Sequence, residues 1–137
     1  MRALHIFFVS ILSVQLLACG PAADNDQVNQ DQITQNVSAE EFHRLYTEKG
    51  GQMLDVRTAG ELESGYIPNA VNIDFYSNLF EDKLKELDKT KPVFVYCAAG
   101  GRSGKAMQMM ASMNFAEVYN LSGGFPTWEE AGYEVQK

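Results

Sequence analysis

The sequence predicts an α/β domain: a central parallel sheet flanked by helices on both faces, in a single unit. Three observations carry this. Short apolar stretches of strand length, at 53–56, 70–73, 93–96 and 118–121, alternate with segments of helical spacing, the pattern of strands joined by helical crossovers. Glycine, proline and asparagine turns separate the two kinds of segment. Apolar residues make up 45% of the chain, enough for a packed core and too many for a disordered one.

The first eighteen residues stand apart from this pattern. Arg2 and the terminal amine precede an apolar run interrupted only by His5, Ser10, Ser13 and Gln15. The run is too short and too broken for a good membrane span and has the form of an export signal. It ends in Leu16-Leu17-Ala18-Cys19, which resembles the bacterial lipobox. The resemblance implies cleavage after residue 18 and lipidation of Cys19. The mature protein would then be held to a membrane by its N-terminal lipid and face the periplasm. Gly20 follows the cysteine rather than Asp, which by the same resemblance favours the outer membrane over the inner. An ordinary secretory signal beside a free Cys19 is the alternative.

Residues 19–36 read as a lipidated, flexible tether, polar and nearly free of large apolar side chains. The domain is expected over 37–137. Ser38 and Glu41 have the spacing of a capping box, Phe42, Leu45 and Tyr46 follow at helical spacing, and Gly50-Gly51 closes that helix. A strand at 53–56, a helical turn within 59–64, a turn at 65–69 and a strand at 70–73 come next. Phe80, Leu84 and Leu87 predict a helix of about three turns. Pro92 opens the strand 93–96, and a helix from about 103 to 113 follows a small-residue loop. The strand 118–121, the turn Ser122-Gly123-Gly124 and a final helix over 126–131 complete the chain.

Composition narrows the function. The formal net charge is −7, which argues against nucleic acid, because phosphate binding needs a basic face. Two cysteines, Cys19 and Cys97, exclude a disulfide framework. With Cys19 lipidated, Cys97 is the only thiol left, in a compartment that favours disulfides.

The chemistry concentrates around Cys97. A strand delivers it to the carboxyl edge of the sheet, where ligands of such folds bind. Ala98, Ala99, Gly100 and Gly101 let the backbone curl so that N–H groups point at the sulfur, and a helix N-terminus adds further donors. Arg102 adds a positive charge and Ser103 opens the helix. Each feature favours thiolate over thiol, so the pKa of Cys97 is expected to be lowered. The plain alternative is a buried structural cysteine.

Residues 97–103 resemble the active-site loop of the rhodanese family. Leu54-Asp55-Val56-Arg57 resembles that family's Asp-x-Arg strand end, and the stretch from Gly65 through Pro68 to Ile73 resembles its Gly-His-Ile-Pro-Gly-Ala element. Leu121-Ser122-Gly123-Gly124, with Trp128 and Ala131-Gly132-Tyr133, resembles its C-terminal signature. Tyr66 stands where the family usually has His, and Asn69 where it often has Gly. The resemblance implies a sulfurtransferase without cofactor. The Cys97 thiolate takes the outer sulfur of thiosulfate or a persulfide, and a nucleophilic acceptor (a thiol, or cyanide in assays) then removes it. Loop N–H groups would hold the transferred sulfur and Arg102 would steer the anionic donor. A protein sulfur acceptor is possible within this scheme but is not specified by it.

Other residues have plainer readings. Asp55 and Arg57 either brace the active loop or form a surface ion pair. Glu61 has the charge to pair with a nearby cation. Trp128 reads as core. Met107, Met109, Met110 and Met113 invite a Cu(I) reading but fit core packing at helical spacing. His43 has no partner at metal spacing, and no metal is expected. Three rivals remain: an anion-loop cysteine phosphatase or arsenate reductase, a non-catalytic binding module, and a redox-sensing thiol. The first uses a longer spacing between Cys and Arg than the four residues found here.

Overall fold

The structure is a computed structural model that describes residues 31–137. The signal-like segment, Cys19 and most of the expected tether lie outside the described residues. The strands are β1 (Ile33–Val37), β2 (Gln52–Asp55), β3 (Val71–Asn72), β4 (Val93–Tyr96) and β5 (Glu117–Leu121). They form one sheet in the order β1-β5-β4-β2-β3, and every neighbouring pair is parallel. The helices are α1 (Ala39–Lys49), α2 (Ala59–Leu62), α3 (Phe80–Leu84), α4 (Gly101–Ser112) and α5 (Phe125–Glu130).

The central strand explains the layering. All four residues of β4 are buried, so both faces of the sheet must be covered. Side chains alternate across a strand. Val93, Val95 and Cys97 therefore enter a core with Phe80 and Leu84 of α3 and Ala106, Met107 and Met110 of α4. Phe94 and Tyr96 enter a second core with Phe42 and Leu45 of α1 and Phe125 and Trp128 of α5. The fold is the doubly covered parallel α/β domain that the sequence predicts.

Three local expectations change. The domain begins before residue 37, because β1 starts at Ile33, inside the segment expected to be tether. This strand is polar since it lies at the sheet edge with β5 as its one neighbour, and its three central residues face water. The side-chain amide of Gln32 donates to the carbonyls of Ala111 (2.8 Å) and Phe115 (2.6 Å), which ties this edge to the end of α4. Second, α3 ends at Leu84, short of three turns. The chain winds on through three-residue turns, with Leu87 N–H on the Leu84 carbonyl at 3.2 Å, so Leu87 still reaches the core. Third, the capping box at Ser38 is half made. Glu41 N–H donates to Ser38 Oγ at 3.3 Å, but the Glu41 carboxylate turns to Arg44 at 2.6 Å.

The turn before β3 is the element with two departures from the family pattern. Asn69 adopts φ 65°, a left-handed conformation that asparagine tolerates better than other side-chain-bearing residues, so it can stand in for glycine. Tyr66 exchanges backbone hydrogen bonds with Gln136 at 2.9 Å each way and anchors the C-terminus.

Phe94 lies at the centre of the second core, fully buried among the rings of Phe42, Tyr46 and Tyr119. Phe94→Ala is expected to cost roughly 3–5 kcal/mol in urea unfolding with an unchanged m-value. Lys85→Ala, at an exposed ion pair, is expected to stay within about 0.5 kcal/mol. Equal losses from the two substitutions would contradict this account of the core.

Candidate active site

Cys97 follows β4 directly and is almost fully buried. The chain then reverses over Ala98 and Ala99. Gly100 adopts φ 90° and starts α4, with the Gly104 N–H on its carbonyl at 2.9 Å. This left-handed step turns the Gly100 N–H back onto Cys97 Sγ at 3.1 Å. One helical turn on, the buried Ser103 hydroxyl donates to the same sulfur at 3.3 Å. Burial pushes the Cys97 thiol up. The Ser103 hydroxyl and the backbone N–H groups of Ser103, Ala99 and Gly100 more than offset this, so its pKa lies below the ordinary value. The structure thus brings Ala99, Gly100 and Ser103 of the predicted loop onto the Cys97 sulfur.

The loop is braced from the neighbouring strand end. After β5 the chain passes Gly123 and Gly124 and presents the Phe125 N–H to the Cys97 carbonyl at 2.8 Å. Gly124 has φ 72°, and a Cβ there would come within 2.5 Å of both the Ala99 nitrogen and the Cys97 carbonyl oxygen. The close approach therefore requires glycine. From beneath, the Asn120 side-chain amide donates to the Gly100 carbonyl at 3.3 Å and to Asn36 Oδ1 at 2.7 Å.

Asp55 and Arg57 are a buried pair, not a surface one, with side chains 1% and 2% exposed. Asp55 accepts from Arg57 Nε (3.1 and 3.0 Å), Nη2 (2.7 Å) and the Arg57 backbone N–H (2.9 Å). The remaining guanidinium donors reach the carbonyls of Gly65 (2.7 Å) and Glu61 (3.3 Å). The ring of Phe125 covers the guanidinium at 4.2 Å. The pair therefore braces the end of β2, α2 and the turn at 65, and touches the loop only through its neighbours.

Arg102 carries the positive charge expected beside the loop, and Glu61 holds it in a two-pronged pair at 2.6 and 2.8 Å. Arg102 is raised first by Glu61 and to a lesser degree by the charge of Cys97, so the sulfur shares a cation that the carboxylate dominates. Glu61 also accepts from the Thr58 N–H and hydroxyl, both at 2.9 Å. Arg102 above all, with these Thr58 bonds, holds its carboxyl down at about 2. The ring of exposed Tyr76 lies 5.5 Å from the Arg102 guanidinium.

Sequence reasoning gave Glu61 a cation to pair with but did not name Arg102, and it gave Gly124, Phe125, Asn120 and Tyr76 no part in the site. A glutamate three residues after Thr58 is a capping signal, and Gly123-Gly124 a turn signal; neither points to residues 97 or 102. The remaining side chains keep plainer roles. Met107 and Met110 are core, with Met109 and Met113 packed on it. Trp128 is buried and donates to the Glu134 carbonyl at 2.8 Å. His43 stacks on Tyr133 with centroids 4.1 Å apart. Among the described residues no three His, Cys, Asp or Glu side chains gather into a metal-binding group.

A buried cysteine, lowered in pKa by the Ser103 hydroxyl and a loop of N–H donors at the carboxyl end of a parallel strand, has the setting of an activated thiol. The rhodanese-like domain profile matches residues 38–131, and the chain belongs to that family. It is 36% identical over 81 residues to the thiosulfate sulfurtransferase GlpE of Pseudomonas syringae, covering 59% of this chain and 74% of that one. It is 37% identical over 101 residues to the uncharacterized protein YqhL of Bacillus subtilis, covering 74% and 77%. The crystal structure of a rhodanese-like domain protein from Staphylococcus aureus superposes with a TM-score of 0.63 at 30% identity, covering 75% of this chain and 99% of that one.

Two substitutions probe the cradle. Alkylation of Cys97 is expected to show a midpoint below the ordinary thiol pKa of about 8.5. Ser103→Ala should move that midpoint upward by removing the largest lowering contact. An unchanged midpoint would remove Ser103 from the sulfur's environment. Gly124→Ala should both destabilise the fold and slow alkylation, because the added methyl must displace the loop.

Proposed function

We propose that this chain is a sulfurtransferase that moves sulfane sulfur from thiosulfate or a persulfide to a thiophilic acceptor through a persulfide on Cys97. The single observation that carries the reading is the cradle. Donors from Gly100 and Ser103 converge on Cys97 Sγ at 3.1 and 3.3 Å, and the pKa of the thiol is lowered despite burial. In the first half-reaction the thiolate attacks the outer sulfur of the donor. The donor's sulfur–sulfur bond breaks with its electron pair leaving on sulfite or a thiolate. In the second, a thiol or cyanide attacks the outer sulfur and the electron pair returns to Cys97 Sγ. Asp55 and Arg57 act as scaffold for the loop's surroundings. The likeness to GlpE supports the same chemistry, since that protein is a thiosulfate sulfurtransferase.

We also propose that the domain works at the bacterial cell envelope, lipidated at Cys19 and facing the periplasm. Residues 1–19 of the sequence support this, through the charged start, the apolar run and the lipobox-like end. The wild type should incorporate labelled fatty acid and Cys19→Ser should not; equal labelling of the two would end the lipid-anchor reading.

The activity is tested by intact mass. The purified full chain incubated with thiosulfate or a low-molecular-weight persulfide should gain one sulfur atom, about 32 Da, and release it on addition of cyanide. Cys97→Ser should gain nothing. No gain with either donor would sink the sulfurtransferase reading.

A further inference from the structure

The cleft beside the reactive loop has an electrostatic character that separates the donor classes named above. It measures about 260 Å³ and lies between α2, the loop at Ala98 and α5, with Arg57, Gly60, Glu61, Phe125 and Glu129 on its walls. That approaches the roughly 300–1,000 Å³ of sites for small organic molecules. The sulfur cradle itself is formed by the loop, so the cleft is space for whatever carries the sulfur in or out.

The guanidinium of Arg57 lines this space, that of Arg102 is bound to Glu61 on its wall, and both are already paired. Arg57 is paired with Asp55 and backbone carbonyls and is 2% exposed. Arg102 is held by both oxygens of Glu61, with 18% of its side chain exposed. The exposed Glu129 has no cation within ion-pair distance among the described residues. With Asp55 and Glu61 against the two arginines, Glu129 leaves the cleft with an excess of negative charge. The ring of Phe125 supplies an apolar wall.

We propose, building on the sulfurtransferase reading, that Glu61 and Glu129 set substrate specificity, so that the cleft takes the persulfide of a small thiol with an uncharged or cationic tail and disfavours anionic carriers, thiosulfate included. Glu61 acts by withholding Arg102, and Glu129 acts directly on the tail. The transfer is Cys97–S⁻ with R–S–S⁻ giving Cys97–S–S⁻ and R–S⁻. No charge is created and no outside oxidant is consumed. The discrimination therefore comes from the tail's own charge in the cleft. Between like-sized tails of opposite sign, one partly exposed charge is expected to give about fivefold, reduced by salt.

The test compares two persulfides of similar size, those of 2-aminoethanethiol and 3-mercaptopropionate, with thiosulfate beside them. The rate of sulfur loading onto Cys97 is read by intact mass on the full chain, at low and high ionic strength. The wild type should load faster from the aminothiol persulfide, and the preference should shrink at high salt. Glu129→Lys places the opposite charge on the rim without touching the loop. It should reduce the preference by about fivefold or more and speed loading from thiosulfate. Glu61→Gln, which releases Arg102 while keeping an acceptor for Thr58, should shift the preference the same way. Equal loading from both persulfides at all salt concentrations would overturn the proposal, as would both rates falling in proportion in the two variants. In either case the sulfurtransferase reading would stand. Loading from no donor in the wild type would overturn both.

Discussion

A negative charge on the sulfur of Cys97 has almost no water to solvate it, and the rest of the site follows from that constraint. An anion taken out of water must find hydrogen-bond donors or lose its charge. Here the donors are the Ser103 hydroxyl and backbone N–H groups of the loop. Backbone N–H groups can face inward only if the chain curls tightly, which needs the left-handed step at Gly100 and small side chains at 98 and 99. A loop so curled leaves the Cys97 carbonyl facing the neighbouring strand end, where Phe125 N–H receives it. That contact in turn admits no side chain at Gly124. One requirement, a stable buried thiolate, thus reaches from β4 into the turn after β5.

The two guanidinium–carboxylate pairs are the other half of the architecture. Replacing one partner of a buried pair strands a charge and is far more damaging than losing an exposed pair. Asp55 and Arg57 use that sensitivity to fix the end of β2 against α2 and the turn at 65. Glu61 lies at the junction. Its carbonyl accepts from Arg57, and its carboxylate closes the first turn of α2 on Thr58 and holds Arg102 of α4. The scaffold therefore runs from Asp55 through Arg57 and the Glu61 carbonyl and carboxylate to Arg102. The same bond that ties α4 to α2 neutralises Arg102, so residue 61 carries both scaffold and electrostatics.

Features written in local pattern were legible in the sequence. The central strands, α1 with its cap at Ser38, and the strand–loop–helix around Cys97 show themselves within a few residues, because burial on both faces and curled loops have composition signatures. The edge strand β1 did not, since a strand with one neighbour and a solvent-facing middle has no apolar pattern to read. The shortened α3 was hidden because Leu87 stays at the core through tighter turns, so the apolar spacing outlasts the helix. Glu61–Arg102 and Gly124 against the loop join residues distant in sequence, and only the folded sheet brings them together. The Asp55–Arg57 pair could be seen, but its burial could not, because polar residues at a strand end look alike whether covered or wet.

Burial of the nucleophile raises a question of access that persulfide chemistry answers. Cys97 Sγ is shielded by its own loop, so a bulky acceptor cannot approach it closely. A sulfur carried on Sγ stands about 2 Å further out, one sulfur–sulfur bond length. The atom that must be reached in the second half-reaction is then the outer one, while the inner sulfur stays among its donors as the leaving group. The cradle that lowers the thiol's pKa serves both halves of the cycle on this reading. It stabilises the attacking thiolate when sulfur is taken up, and it stabilises the departing thiolate when sulfur is given away, since the Cys97 anion is the nucleophile in one direction and the leaving group in the other. A buried, well-donated sulfur suits reversible sulfur transfer, whereas a sensor thiol awaiting oxidation gains from exposure of Sγ itself.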